Sequence, residues 1–380
     1  MKGGYVCMNR SSQLWVKTLL AGTLVFSAVP AISFSSNTAY AATSQITVNS
    51  TSDIVDQLYK GLMNRDAQVT FTYKGSTAKL KSMLQDSFET ALEKDPYTMY
   101  ILDSYGLTWR SNAYSALVTV DMKYRETVTQ TKYVNDKVVQ TVAQIITPGM
   151  NDHQKVKAIH DWVVRHLKYD ETYTRYTAYE ALYDGTAVCQ GYALLSYALL
   201  KQAGVENKIV EGTAGGELHA WNLVNIDGNW YHMDTTWDDP LPDQGDGVDT
   251  NYYLRTDAQM KQDHNWTKTY PAATVAYKDT LNTLIASGGD TSGFYKQLEQ
   301  NLNYAVDNSP AAVNSAVDLK EQVKNAKASG QSSLVFRYNG NITSLKSDLS
   351  RLSAVGIKSI SYTVQSLGSS NDLKVNLSWK

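Results

Sequence analysis

One thiol, one imidazole and one carboxylate stand in this chain in an order that can do acyl chemistry. Cys189 lies in the stretch GTAVCQGYALLSYALL, His219 in GELHAW and Asp234 in WYHMDTTW. A thiol becomes a strong nucleophile when a neighbouring base takes its proton, and that base works best when a third group fixes its tautomer. The three residue types fit the roles of nucleophile, base and orienter, with a thioester as the covalent intermediate. The sequence has only one other cysteine, Cys7.

The elements around these residues should bring them into play. Asp184-Gly185-Thr186 reads as a turn and cap, which puts Cys189 in the first turn of a helix running to Gln202 and ended by Gly204. Tyr192, Ala193, Leu194, Leu195, Tyr197, Ala198, Leu199 and Leu200 make that helix apolar nearly all round, so it is expected to be buried on most sides. Burial alone would silence a thiol, whereas a helix N-terminus and an imidazolium partner bring its pKa from ~8.5 to ~3.5–7.5. The helix start also offers N–H groups to an oxyanion, and one such donor can be worth ~2.7–4 kcal/mol in the transition state.

Leu218 to Ile226 alternates, Asp227-Gly228 is a strong two-residue hairpin signal, and Trp230 to Trp237 continues as the partner strand. Pairing Ile226 with Asn229 sets Trp221 opposite Asp234 and His219 opposite Thr236. His219 and Asp234 then share one face as diagonal neighbours, ~5.5–8 Å apart between backbones. A loop of odd length would send them to opposite faces. His232 shares the face and is the rival base, placed on the far side of Asp234 toward the turn. Gln190, beside the thiol, and Trp221, on the His219 face, are the expected substrate contacts; Trp237 is expected to point the other way, into the core.

Other polar groups read as structural. A helix from about Asn151 to Leu167, with Asp152 as its cap, carries His153, His160 and His166 on or beside it. Their spacings of seven and six do not form the i, i+4 pair of a helical zinc site, so they are expected to pack or face solvent. The loop from Asp238-Asp239-Pro240 to Asp249 holds five aspartates without the ordered spacing of a calcium loop, and reads as a solvated acidic loop. No metal or cofactor is expected.

The chain begins with Lys2, Arg10 and Lys17, an apolar run from about Thr18 to Ile32, and Ala39-Tyr40-Ala41, the pattern of a secretory signal peptide over residues 1–41. Cleavage there would remove Cys7, leave 32 basic against 37 acidic residues, and yield an exported chain that is not an integral membrane protein. No basic stripe survives processing, which argues against nucleic acid as a partner. A leftover cysteine in an exported protein is either an intermolecular bridge or a reactive thiol.

Near the start, VTFTYKG (Val69 to Gly75) is followed by Leu80-Lys81-Ser82 and Leu84; near the end, LVFRYNG (Leu334 to Gly340) is followed by Leu345-Lys346-Ser347 and Leu349, at a constant offset of 265. Asp53 and Gln57 likewise correspond to Asp318 and Gln322. Strand-like segments follow in both copies, at Tyr97 to Leu102 and Ile357 to Val364, then at Leu117 to Met122 and Leu373 to Leu377. The expected organisation is therefore an N-terminal α+β module at 46–146, a catalytic domain at 147–270, a linker at 271–310 and a C-terminal module at 311–380. Neither repeat contains a cysteine or histidine, so the chemistry must lie between them.

Taken together, Cys189-Gln190-Gly191-Tyr192-Ala193, His219-Ala220-Trp221-Asn222 and Tyr231-His232-Met233-Asp234-Thr235-Thr236-Trp237-Asp238-Asp239-Pro240 resemble the transglutaminase-like superfamily of papain-type thiol enzymes, in its secreted bacterial branch. The resemblance covers about Pro148 to Tyr270, including Tyr252-Tyr253-Leu254 and Asp263-His264-Asn265-Trp266. It implies an α+β fold with a central helix on an antiparallel sheet, and a Cys189-His219-Asp234 triad. It also implies a protein, peptide or cell-wall amide as substrate, cross-linked to an amine, deamidated or hydrolysed. Transfer from a glutamine carboxamide is the favoured reading, with peptidase, amidase or deamidase activity as the alternative. A reading from another class is a non-catalytic cell-wall or surface adaptor, whose two repeats bind while the centre acts as a spacer.

Overall fold

A computed structural model describes residues 46–239, 247–307, 313–367 and 372–380. The expected signal peptide with Cys7, and Pro240, Asp243 and Asp246 of the acidic loop, lie outside the described residues.

The chain opens with strand β1 (Thr47–Val48), helix α1 (Thr51–Asn64), strand β2 (Gln68–Lys74), helices α2 (Leu80–Glu93) and α3 (Pro96–Ile101), strands β3 (Leu102–Asn112) and β4 (Ser115–Tyr124), and helix α4 (Val128–Ile145). The sheet order is β1-β2-β4-β3. Val69, Phe71 and Tyr73 alternate inward from β2, as Ala116, Val118, Val120 and Met122 do from β4, and they form one core with Leu58, Leu62, Leu84 and Phe88 of the helices. The segment expected as a strand from Tyr97 is instead α3. Asp95 accepts the Thr98 N–H, and Pro96 occupies the first turn, where its fixed φ and missing donor suit a helix.

Next come α5 (Asp152–His166), β5 (Lys168–Tyr169), α6 (Ala178–Asp184), β6 (Thr186–Ala187), α7 (Cys189–Gln202), β7 (Asn207–Ala214), β8 (Glu217–Ile226), β9 (Asn229–Met233), α8 (Asp257–Met260) and β10 (His264–Asn265). Asn151, not Asp152, caps α5, because Asn151 and Gln154 satisfy each other's backbone amides in a capping box. Gly185 closes α6 with φ +70° rather than opening α7; the residue before α7 is Val188, whose side chain cannot cap. Strands β10-β7-β8-β9 form an antiparallel sheet. Asp227 (φ 51°) and Gly228 (φ 80°) take the two left-handed positions of a tight hairpin turn, and Ile226 pairs with Asn229.

The strand ends sooner than the alternation suggests. Oδ1 of Asp234 accepts the backbone N–H groups of Thr236 (3.0 Å) and Trp237 (3.3 Å), which turns the chain immediately after β9.

Helices α9 (Tyr277–Ser287), α10 (Ser292–Asn301) and α11 (Tyr304–Asp307) follow. The stretch expected as a linker with two short helical segments carries these helices, and it docks on the start of α5: Tyr277 bonds His153 at 2.9 Å and Tyr295 bonds Asn151 at 2.8 Å. The C-terminal elements are α12 (Ala316–Ala328), β11 (Ser333–Asn339), α13 (Ile342–Ser350), β12 (Ile360–Ser366) and β13 (Asp372–Trp379), with sheet order β11-β13-β12. At the offset of 265 the two modules share local geometry. Val313 bridges Tyr338 in parallel as Val48 pairs with Tyr73, and Ser315 accepts from the Asp318 amide as Ser50 does from that of Asp53.

Contacts divide the protein into two compact units. Tyr169–Ala203 joins the residues up to Thr147, with α7 packed against α3, α4 and α6; Pro148–Lys168 and Gly204–Lys380 form the other. Residues 147–270 therefore contribute to both.

Gly212 holds β10 in place. A Cβ there would lie 2.0 Å from the Asn265 carbonyl oxygen and 2.9 Å from the Trp221 ring. Gly212→Ala should push β10 off β7 and cost about 1–3 kcal/mol, the usual range for overpacking; urea unfolding of the variant against the parent measures it.

Candidate active site

Cys189 is the first residue of α7 and is fully buried. With no side chain at Val188 to take the first-turn amides, this helix start retains the polarity that favours an anion. The loop before it is stitched by Asp170. One carboxylate oxygen accepts from Thr172 N (3.1 Å), Thr172 Oγ1 (2.6 Å) and Arg175 Nη1 (3.3 Å); the other accepts from Thr174 N (2.8 Å), Thr174 Oγ1 (3.2 Å) and Arg175 N (2.9 Å). Asp170 N in turn donates to Ala187 O, and Val188 N to Arg175 O, so the loop fixes the two residues ahead of Cys189. Gln190 is buried, and its amide donates to Tyr100 O at 2.8 Å within the same unit.

His219 and Asp234 lie together in the second unit. His219 Nε2 is 2.7 Å from Asp234 Oδ2, with both residues buried. Because Asp234 can only accept, the proton is on Nε2 and the lone pair is on Nδ1. Nδ1 is itself buried and has no hydrogen-bond partner among the described residues. Burial works to raise the pKa of Asp234, but His219 and His264 outweigh it and hold the carboxyl below its ordinary range. The result is an ionised carboxylate beside a ring whose Nδ1 lone pair has no hydrogen-bond donor among the described residues.

His232 is engaged on both sides. Trp221 Nε1, a donor only, gives its hydrogen to His232 Nδ1 at 2.9 Å, so His232 Nε2–H faces Asp257 at 2.8 Å. Burial pushes His232 down to about 4, against the pull of Asp257, and keeps it neutral. Trp221 is 1 % exposed and stacks 5.7 Å from the His219 ring, supporting it from within. Trp237, expected in the core, is partly exposed, with its ring 6.0 Å from His219 and 4.7 Å from His264. The Asp234 turn breaks the strand register that would have pointed it away.

His264 was visible in the sequence only as part of a motif tail. Its Nε2 lies 3.1 Å from the same Oδ2 of Asp234, and its Nδ1 lies 2.6 Å from Asp263 Oδ1; Tyr252 donates its hydroxyl to Asp263 Oδ2 at 2.6 Å. His219, Asp234 and His264 offer atoms of metal-ligand type within 4.8 Å of one another. Their mutual hydrogen bonds satisfy the carboxylate without an ion. Of the helical histidines, His153 and His160 are buried and bonded to aspartates, His153 to Asp227 at 3.1 Å and His160 to Asp238 at 3.0 Å and Asp161 at 2.9 Å, while His166 stacks on Trp162. No helix among the described residues is long and apolar enough to cross a membrane.

Residues 139–235 match the model of the transglutaminase-like superfamily, a segment that contains Cys189, Gln190, His219, Trp221 and Asp234. Kyphoscoliosis peptidase of Mus musculus is 27% identical over 33% of this chain and 23% of its own length; the Homo sapiens protein of the same name is 28% identical over 27% and 18%. The chain thus spans about a fifth of the length of these curated relatives. A solved structure described as a TGase aligns over 62% of this chain and 63% of its own at 14% identity, with a TM-score of 0.26.

Asp170 supplies an acid-stability prediction. Burial works to raise its pKa, yet the donors from Thr172, Thr174 and Arg175 prevail and lower it to about 2, against ~3.9 for an ordinary aspartate. A depressed carboxyl stabilises the fold above its unfolded value and loses that contribution as pH falls through the folded value. Asp170→Ala should therefore be less stable than the parent at neutral pH, with the gap closing from pH ~4 downward. Urea unfolding across that range reads both.

Proposed function

Because residues 139–235 match the transglutaminase-like superfamily, we propose that the protein is a thiol enzyme in which Cys189, His219 and Asp234 act as a triad on amide bonds. The observation that carries this reading is the buried His219–Asp234 pair at 2.7 Å, which leaves Nδ1 of His219 as an unpartnered base within the matched segment. The pairing of this nitrogen with the Cys189 thiol rests on the family motif and on what a thiol requires to react.

The chemistry then follows from the groups present. His219 Nδ1 takes the thiol proton, and the Cys189 sulfur attacks the carboxamide carbon. The carbonyl oxygen becomes an oxyanion, for which the uncapped start of α7 is the nearby source of backbone N–H donors in its own unit. As the intermediate collapses, the C–N bond breaks and the nitrogen leaves with the proton returned by His219, so a thioester and an amine or ammonia are formed. A second amine, or water, is deprotonated by His219 and attacks the thioester, and the proton it gives up restores the Cys189 thiol.

The reacting form is the thiol, so the protein is assayed under reducing conditions. Removal of residues 1–41 as an export signal would take away Cys7, the only other cysteine in the sequence. We favour a secreted acyltransferase acting on glutamine carboxamides of proteins at the cell wall or surface. Hydrolysis of a peptide or side-chain amide is the second reading, because one thioester serves both outcomes and only the second nucleophile differs.

Incubating the reduced protein with a glutamine-rich acceptor protein and a tagged primary amine separates them. Amine incorporation that disappears in Cys189→Ala and falls by about 10²-fold or more in His219→Ala is the expected result, given what a positioned base supplies. Cleavage or deamidation dependent on Cys189 without incorporation selects hydrolysis. No change in the acceptor from any arm leaves the adaptor reading in its place.

A further inference from the structure

We propose that His264 is a positioning residue of this site: held as an imidazolium between Asp263 and Asp234, it fixes the carboxylate oxygen that grips His219 and places a standing positive charge beside the base. The proposal rests on the thiol-enzyme reading above and adds a fourth participant, beyond the 139–235 segment that matches the superfamily.

The protonation state follows from geometry. Both ring nitrogens of the buried His264 face carboxylate oxygens, at 3.1 Å on Asp234 and 2.6 Å on Asp263. A ring with a single proton would set a lone pair against one of those oxygens, an unsatisfied contact that is costly away from water. Asp263 is committed as an acceptor on its other oxygen too, where Tyr252 donates at 2.6 Å; burial and the nearby Asp263 keep that phenol protonated by raising its pKa. Burial alone would lower the pKa of His264, but the hydrogen bonds to Asp234 and Asp263 reverse it to a raised value. The other titratable groups around the ring are His219, 5.5 Å away between centroids, and His232, which His264 helps to keep neutral.

The consequences concern Asp234. Its Oδ1 is held by the Thr236 and Trp237 amides and its Oδ2 by two imidazoles, so the carboxylate has no freedom to rotate away from His219. Of the two negative charges on Asp234 and Asp263, His264 cancels one. Without that cation every neighbouring proton would be harder to remove.

Two measurements on the reduced full-length chain test this. In nitrogen-15 spectra at neutral pH, both ring nitrogens of His264 should be protonated, and Asp263→Asn should lower the pH at which the second proton is lost. A singly protonated ring in the parent overturns the proposal, whatever the protein's activity. In the second measurement, His264→Gln keeps an N–H donor but drops the charge. Alkylation of Cys189 by iodoacetamide at neutral pH should slow by about tenfold, and the whole rate–pH profile should move to higher pH. A folded His264→Gln whose profile stays in place contradicts the proposal, and if His264→Gln does not fold, the nitrogen spectra of the parent and of Asp263→Asn decide it. A parent thiol no more reactive than a peptide cysteine would instead sink the thiol-enzyme reading and leave the nitrogen spectra to judge His264.

Discussion

A single carboxylate oxygen, Oδ2 of Asp234, accepts hydrogen bonds from two buried imidazoles, and the functional reading depends on that convergence. A buried carboxylate is costly unless its acceptors are satisfied and its charge is met. Here the turn after β9 supplies two amides, β8 supplies His219, and the two-residue strand β10 supplies His264. The price of burying Asp234 is therefore spread over three separate pieces of chain. Losing any one of them leaves a charge or a donor stranded.

The parts that hold this arrangement are ordinary backbone devices. The Asp227-Gly228 turn sets the parity that puts His219 and Asp234 on one face, and Asp227 also bonds His153 at the start of α5. Gly212 lets the β10 backbone close against β7, which is how His264 reaches the site. In the other unit, Asp170 does comparable work for the residues before Cys189, gathering six donors from a loop that would otherwise be free to wander.

Much of this was legible in the sequence because it depends on short-range chemistry. The hairpin register is written in two turn residues, and the offset of 265 carries capping serines and alternating strands that recur in both end modules. Local rules failed where a side chain competes with the backbone. Asp234 captures two amides and stops β9 at Met233, which turns Trp237 toward His219; Asn151 outcompetes Asp152 as a cap because Gln154 can return the bond. His264 was hidden for a different reason. Its role arises only when a two-residue strand joins a sheet edge some fifty residues earlier in the chain, and no periodicity reports such a meeting.

In the proposed function, Asp234 and His219 together generate a thiolate at Cys189. Ultraviolet titration of the thiolate in the reduced protein tests it most directly. The account predicts that the thiolate signal appears well below the ~8.5 of an ordinary cysteine, and that His219→Ala moves it up toward that value. A signal that appears only near or above the ordinary value in the parent, unchanged by His219→Ala, would contradict it.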